Sequence, residues 1–593
     1  PYAPNVAPSD AAPSPPVVAG SPDPATTERG EDAAAEEYKA PLGFAGRSGV
    51  LPRDPLVSPD AAPVEDRWRL GFPAWDRYGN GHPPTDDYPY VEGSKWDPFN
   101  QNVLKGDYPI WGQNTFLNLT AESFLSLDAR EVPTPATSFE STARPGQANF
   151  FGRPGQFFYN QNFSFSADLF HGDAAFKPVD WRIKITPVLN LNDLNLNELG
   201  VTQPDVRDGT GRGRSYLALQ EWFVERKLAD LSPDYDFVSI RVGSQPFTSD
   251  FRGFLFSDVN RAVRIFGTLQ SNRDQFNLIA FDQMEKDTNS GLNEINHSRG
   301  QEIVIANFYR QDFIWPGYTV EGSVHYNHDQ PSFHFNRNGV LVRPDPDGVF
   351  TPHQLDVAYL GWAGDGHINR FNITHQFYWA VGRDSLNPIA NQPQDISAEF
   401  FAAELSYDRD WARFRTSFLY SSGDGNVNNR HATGFDTILD DPNFAGGEFS
   451  YWQRQALPLF GVNLVNANSF IPDLRSSHIE GQSNFVNPGL WLYNVGMDMD
   501  LTPKLKSISN INFLWFDKTN SLETFLFQER IHRFIGTDIS TGLEYRPLLS
   551  NNIITTFGVS ALVPGQGFSD LYNNFRTATD VQFATFLQLT LAY

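Results

Sequence analysis

From about residue 115 to its last residue this chain repeatedly alternates apolar with polar or small side chains in steps of two, a period that belongs to extended strands and not to helices. In the final stretch Phe583, Thr585, Leu587, Leu589, Leu591 and Tyr593 share one face, while Ala584, Phe586, Gln588, Thr590 and Ala592 share the other. Trp181, Ile183, Ile185, Pro187, Leu189 and Leu191 alternate in the same way with Arg182, Lys184, Thr186, Val188 and Asn190. So do Tyr318, Val320, Gly322, Val324 and Tyr326 with the polar residues between them, and Trp491, Tyr493, Val495, Met497, Met499 and Leu501 with Leu492, Asn494, Gly496, Asp498 and Asp500. Ile535, Thr537, Ile539, Thr541, Leu543 and Tyr545 repeat the pattern. Two stretches, around residues 216–226 and 303–309, do not sort into faces.

A β-sandwich alternates too, but it gives aromatic side chains no reason to collect at strand ends. Here they collect. Trp181, Tyr318, Tyr407, Tyr545 and Tyr593 fall at one set of ends, and Tyr159, Tyr326, Trp379, Tyr420, Trp491 and Trp515 at the other. The connections also alternate in length. Tight links at 172–180, 271–274, 364–367, 408–410 and 502–504 are interleaved with long ones at 129–155, 329–352, 423–487, 517–533 and 564–579. Short turns on one side and long loops on the other, with an aromatic belt at each edge, predict an all-β fold: a transmembrane antiparallel β-barrel of about eighteen strands. The short turns are expected on the periplasmic side, and an even strand count places both termini there.

Composition narrows the alternatives. No run of roughly eighteen apolar residues exists, so there is no helical span, and a mean hydropathy of −0.41 suits a polar lumen with large loops. The absence of Cys removes disulfide scaffolds, thiolate metal sites and cysteine nucleophiles. A net charge of −25 argues against a nucleic-acid partner. Much of the acid lies in loops and in the first residues, for example 436–441, where it reads as solvated surface. The chain opens on Pro1 without a basic and apolar leader, which reads as a processed or trimmed chain.

Three regions follow. Residues 1–64 are rich in Pro, Ala, Ser, Asp and Glu and form a disordered or tethering arm. Residues 65–112 carry many rings separated by Gly, Pro, Asn and Asp, and are expected to be an extended segment. Its Trp68, Trp75, Trp96 and Trp111 either plug the lumen or dock a periplasmic or outer-membrane protein. Residues 113–593 form the barrel.

In its alternating strands, loop asymmetry, aromatic girdles and terminal aromatic residue, the barrel resembles the bacterial outer-membrane porins. It departs from them in ending on Tyr, where porins usually end on Phe, and in the length of its N-terminal segment. On the polar faces, Arg182, Lys184, Arg241, Arg264, Arg413 and Arg415 read as a basic pore wall, opposed by Asp498, Asp500, Asp538 and Glu544 as an acidic one. Either these set a transverse field that orders polar solutes, or they are structural pairs between neighbouring strands, a reading that Glu321, Asp356 and Glu404 favour.

Residues 247–258, on the third long-side connection, are too apolar to stand in water. The resemblance implies that this loop folds inward, with Phe247, Phe251, Phe254 and Phe256 on the wall and Asp250, Arg252 and Asp258 lining a constriction. A cap on the rim, or two strands extended above the membrane, accounts for it as well. Other chemistry is thin. Asp345-Pro-Asp-Gly348 and Gly423-Asp-Gly-Asn426 offer oxygens to a loop Ca²⁺, but neither has the spacing of an EF-hand and both read far more readily as ordinary turns, so no cofactor is expected. His375 stands on a lipid face without an identifiable nucleophile, so no enzyme activity is expected. The function read from the sequence is an outer-membrane channel for small polar solutes. The alternative is a structural barrel that anchors a larger complex through residues 1–112.

Overall fold

A computed structural model of the chain describes residues 94–99, 102–135, 151–173, 177–572 and 580–593. The arm 1–64, together with Trp68 and Trp75, lies outside the described residues. The wall consists of β1 (Thr115–Glu131), β2 (Gly155–His171), β3 (Trp181–Asn195), β4 (Gly211–Asp230), β5 (Phe237–Thr248), β6 (Ser257–Leu269), β7 (Asp274–Lys286), β8 (Asn293–Arg310) and β9 (Tyr318–Asp329). It continues through β10 (Leu355–Ile368), β11 (Phe371–Asn387), β12 (Gln392–Arg409), β13 (Ala412–Ser421), β14 (Leu490–Thr502), β15 (Leu505–Trp515), β16 (Phe534–Tyr545), β17 (Ile553–Pro564) and β18 (Gln582–Ala592). Each strand pairs antiparallel with the next. β18 then pairs antiparallel with β1, from Ala592 opposite Glu122 to Ala584 opposite Arg130, and the sheet closes on itself. Closure leaves no unpaired edge, the condition for backbone to cross a hydrocarbon layer.

The expected faces hold where the pleat is regular. Ile183, Ile185, Leu189 and Leu191 point outward and are exposed, as are Trp491, Tyr493, Val495 and Leu501. The two stretches that resisted sorting have different causes. In β4, Pro187 lies opposite Leu219 and Thr186 opposite Glu221, so Gln220 is an extra residue. This bulge moves the outward set from odd positions, Leu217, to even ones, Val224. In β8 no bulge intervenes at this point. Val304 and Phe308 face outward, but Ile303 and Ile305 are buried on the inner face, so both faces are apolar.

Two expectations are corrected. Gly364 and Gly366 lie within β10, and the turn falls at residues 369–370. A Cβ on Gly364 would stand 2.1 Å from the Tyr318 hydroxyl, so that glycine marks a ring laid against the strand and not a reversal. Ile535 is fully buried instead of lipid-facing, because the β15–β16 ladder is irregular between Leu514 and Trp515.

Below the C-terminus, the ribbon Lys105–Trp111 pairs with the first residues of β1, where β18 has ended. It takes the slot beside β1 that the last strand leaves open.

Candidate functional site: the lumen and the loops that enter it

The inner wall of β3 to β6 carries a ladder of alternating guanidinium groups and rings. Arg182 stands 5.9 Å from the Phe223 ring, and Arg241 lies 4.5 Å from the same ring and 5.2 Å from Phe266. Arg264 follows at 4.5 Å from Phe266 and 5.0 Å from Phe247. Arg241 and Arg264 are directly opposite each other across β5 and β6, a juxtaposition of like charges that costs free energy unless neighbours offset it. Glu225 accepts from Arg241 at 2.7 and 3.0 Å. Arg264 donates to Asn277 at 2.9 Å and, among the described residues, meets no carboxylate within ion-pair distance.

The two-wall picture is corrected by these contacts. Asp168 pairs with Arg182, and Glu221 with Lys184 at 2.5 Å. Arg413 donates to Asp408 at 2.9 Å, and Arg415 to Asp498 at 2.9 Å. Five of the six basic residues therefore have an acidic partner on the adjacent strand, Arg264 being the exception among the described residues. Glu221 and Glu225 were missed because the β4 bulge at Gln220 keeps residues 216–226 from sorting into faces. Asp500 is exposed near a short turn, and Glu544 accepts from Arg546 at 2.7 Å. Asp538 is fully buried and does not line an opening. Its oxygens accept the backbone N–H groups of Tyr451 and Trp452, each at 3.1 Å.

Residues 249–256 join β5 to β6 and are knotted around Asp250. Its Oδ1 accepts backbone N–H groups from Arg252 at 2.8 Å, Gly253 at 2.5 Å and Phe254 at 3.2 Å, and its Oδ2 accepts that of Leu255 at 3.2 Å. Gln376 and Tyr378 of β11 donate to the same carboxylate at 2.9 Å each. Gly253 has φ +77°, and a Cβ there would meet the Asp441 carbonyl at 2.8 Å. Phe254 packs at 5.1 Å on both Phe400 of β12 and Phe444, Phe251 meets Tyr309 at 5.5 Å, and Phe256 meets Phe281 at 4.9 Å. Of the three polar residues expected to line an opening, Asp250 is buried and Asp258 is mostly covered, its side chain 9% exposed in a 2.5 Å pair with Lys286. Arg252 keeps the most exposure of the three, donating to Glu404 at 3.0 Å and to the Asn443 carbonyl at 3.2 Å.

Residues 422–489, expected to be a solvated external loop, are largely buried. Arg475 donates to Asp436 at 2.8 Å through two nitrogens, with both side chains out of contact with solvent. The acidic run at 436–441 is thus internal. The loop reaches β1 through Arg454, which donates to Asp128 at 2.7 Å, and through the Tyr451 hydroxyl, which donates to the Glu131 carbonyl. It reaches β18 where Phe449 meets Phe586 at 5.6 Å, β15 where Asn512 donates to the Ala445 carbonyl at 3.1 Å, and β10 where Tyr359 donates to the Asp436 carbonyl at 3.2 Å. The inner wall around it is apolar: Leu355, Val357, Phe400, Leu490, Leu492, Leu514 and Leu562 belong to one core with Phe435, Trp452 and Phe470 of the loop.

The two acidic turns are spent on loop contacts. Asp345 accepts the Ser476 N–H at 3.1 Å, and Asp424 accepts that of Asn426 at 3.3 Å. Asp347 sits against Gly461, and burial together with neighbouring Asp345 pushes its carboxyl up to about 7. Among the described residues no group of three or more His, Asp or Glu is placed to hold a metal. His375 accepts from or donates to the Tyr318 hydroxyl at 2.8 Å, beside Trp362 on the outer face.

The segment that carries Trp96 and Trp111 is clasped to the C-terminus. Asn102, fully buried, donates to the carbonyls of Lys95 at 2.9 Å and Asp97 at 3.1 Å and to the Tyr593 hydroxyl at 2.9 Å. Lys105 lies 4.4 Å over the Tyr593 ring. Trp96 and Trp111 are 91% and 70% exposed, so neither is buried as an anchor in a pocket of the described residues.

No family model matches the chain, and no curated protein matches it. Among solved structures it is similar to OccK1 (OpdK) of Pseudomonas aeruginosa, at 9% identity and a TM-score of 0.41 over 80% of this chain and 98% of that one. It is similar also to OccK9 (OpdG) of the same organism, at 10% and 0.43 with the same coverage, and to a BenF-like porin from Pseudomonas fluorescens Pf-5, at 9% and 0.43 with the same coverage. The architecture rests on the pairing within this chain. By that pairing it is a closed antiparallel β-barrel of eighteen strands.

Proposed function

We propose that the barrel lies in a bacterial outer membrane, with both chain ends periplasmic, and passes small polar solutes, anions in preference. The observation that carries this reading is the ladder Arg182–Phe223–Arg241–Phe266–Arg264 on the inner wall. Guanidinium groups held in place by rings present fixed donors to a passing carboxylate or phosphate, and Arg264 has no carboxylate within ion-pair distance among the described residues. Residues 249–256 narrow the passage in this reading, with Arg252 as the side chain nearest the open space.

The test is reversal potential in planar bilayers under a KCl gradient. Arg264→Gln keeps a donor toward Asn277 and removes the charge, so anion selectivity falls while the barrel stays folded. Selectivity equal to that of the parent chain would sink the proposal. A second reading, a barrel that anchors a complex through residues 1–112, is favoured by the exposed Trp96 and Trp111 and by the apolar packing of residues 422–489. A folded barrel without measurable conductance, recovered from native membrane with a bound protein, would select it.

A further inference from the structure

We propose that the groove where residues 94–99 cross the outside of the β1–β18 seam holds one acyl chain of a phospholipid from the leaflet nearest the short turns. This inference rests on the reading that the barrel sits in a membrane. The clasp of Asn102 on Lys95, Asp97 and Tyr593 fixes the strap across the seam, with Pro98 and Phe99 standing over the outer surface. The groove beneath them has a volume of about 430 Å³, within the roughly 300–1,000 Å³ of small-ligand sites.

Its lining is almost entirely carbon, from Phe99, Phe163, Phe165, Leu548, Ile553 and Leu591. Glu122 also borders the groove, but it shares the even, inward-facing parity of Phe116, Ser126 and Asp128 on β1, and the three other polar residues there are already engaged. Asn552 donates to the Ala592 carbonyl at 2.9 Å, the Ser123 hydroxyl accepts from Gln161 at 3.0 Å, and the Tyr593 hydroxyl is held by Lys95 and Asn102. A peptide would find few partners for its amides there, whereas a hydrocarbon chain needs none.

Position selects the same occupant. Phe163, Phe165 and Leu591 belong to the outward set of β2 and β18, so the groove opens sideways onto the lipid-facing band. Trp96 and Phe99, at 91% and 63% exposure, extend that apolar surface past the rim, where amphipathic rings mark a membrane interface. A chain lying in the groove would bridge the strap, the first wall strand and the last, at the one place where the barrel is closed by its two ends.

The experiment uses the full chain in phosphatidylcholine vesicles brominated on the acyl chains, with Trp96→Phe as the difference probe. Trp96 emission should lose more than half its intensity to the brominated lipid. Phospholipid should remain bound through detergent exchange, as read by native mass spectrometry, and Ala121→Phe, which fills the groove from the outer face of β1, should lose it. Quenching of Trp379 and Trp491 in the lipid band is the control. If they are quenched while Trp96 answers only to aqueous iodide, the strap faces the periplasm as a protein-docking surface and the proposal fails. Retained lipid that does not differ between the parent and Ala121→Phe also overturns it. If no Trp is quenched, the membrane reading itself falls.

Discussion

Asp250→Ala is the substitution that most directly tests how residues 249–256 are held. Six donors converge on this carboxylate, four from the loop backbone and two from β11. The four backbone bonds order the loop internally. Only those from Gln376 and Tyr378 tie it to the opposite wall, and they set the balance between docked and released. A hydrogen bond to a charged group contributes about 1.5–3 kcal/mol, so losing two shifts the balance by about 3–6 kcal/mol, or about two to four decades. The phenylalanine contacts remain, so the loop loosens without the strands separating. Single-channel conductance should rise, and amide exchange across residues 252–255 should accelerate, while heat-modifiable migration on gels stays normal. Asp250→Asn keeps one acceptor oxygen but turns an amide donor toward donors, and should fall between the two. Exchange at residues 252–255 as slow in Asp250→Ala as in the parent, in a folded barrel, would refute the reasoning.

Three further outcomes are expected. Asn102→Ala strips partners from the Lys95 and Asp97 carbonyls and the Tyr593 hydroxyl, which should lower barrel stability by about 1–3 kcal/mol as read from its heat-modification midpoint; no change would mean that the clasp contributes nothing. Trypsin added to whole cells should cut after exposed Arg430 and spare buried Arg475; cleavage at Arg475 with Arg430 intact would contradict the packing of residues 422–489. The Asp347 carboxyl is raised to about 7, so folding binds its proton. The contact with Gly461 is therefore strongest below the ordinary carboxylate value near 4 and weakens as pH rises through about 7. Amide protection around residue 461, taken relative to the base-catalysed intrinsic rate at each pH, should be lower at pH 8 than at pH 5, and Asp347→Asn should flatten the difference.

The wall was legible because a regular pleat writes its two environments into alternate residues. Trp181 to Leu191 and Trp491 to Leu501 each report an outer face that the structure repeats. Legibility failed where one of two things intervened. A bulge at Gln220 reversed the parity of β4, so residues 216–226 did not sort into faces and Glu221 and Glu225 could not be assigned to the basic wall. A single inserted residue leaves no compositional trace. The other cause was the filled half of the lumen. Ile303 and Ile305 are apolar because they face packed side chains rather than water, and the same packing turns residues 422–489 from apparent surface into core. Nothing local in a run such as 436–441 announces that Arg475, some forty positions later, will neutralise it. The Phe-rich composition of residues 247–258 did announce a packed loop. It did not say that Asp250 would be its knot.

The inner wall on the long-loop side constrains how anything can pass. Leu355, Val357, Phe400, Leu490, Leu492, Leu514 and Leu562 would face water if residues 422–489 swung out, and so would the loop's own Phe435, Phe444, Tyr451, Trp452, Phe470 and Phe485. At about 1.5–3 kcal/mol for each large apolar side chain exposed, those six rings alone come to about 9–18 kcal/mol. That matches or exceeds the net stability of roughly 5–15 kcal/mol typical of a folded domain. Residues 422–489 therefore do not swing out as a unit; they belong to the wall. Movement has to be confined to groups whose contacts are few and polar. Arg252 is such a group, half held by Glu404 and the Asn443 carbonyl, in a side chain that is still 26% exposed. Breaking those two contacts exposes no ring, so in the channel proposed above the expected gate is the tip of residues 249–256 and not the large loop.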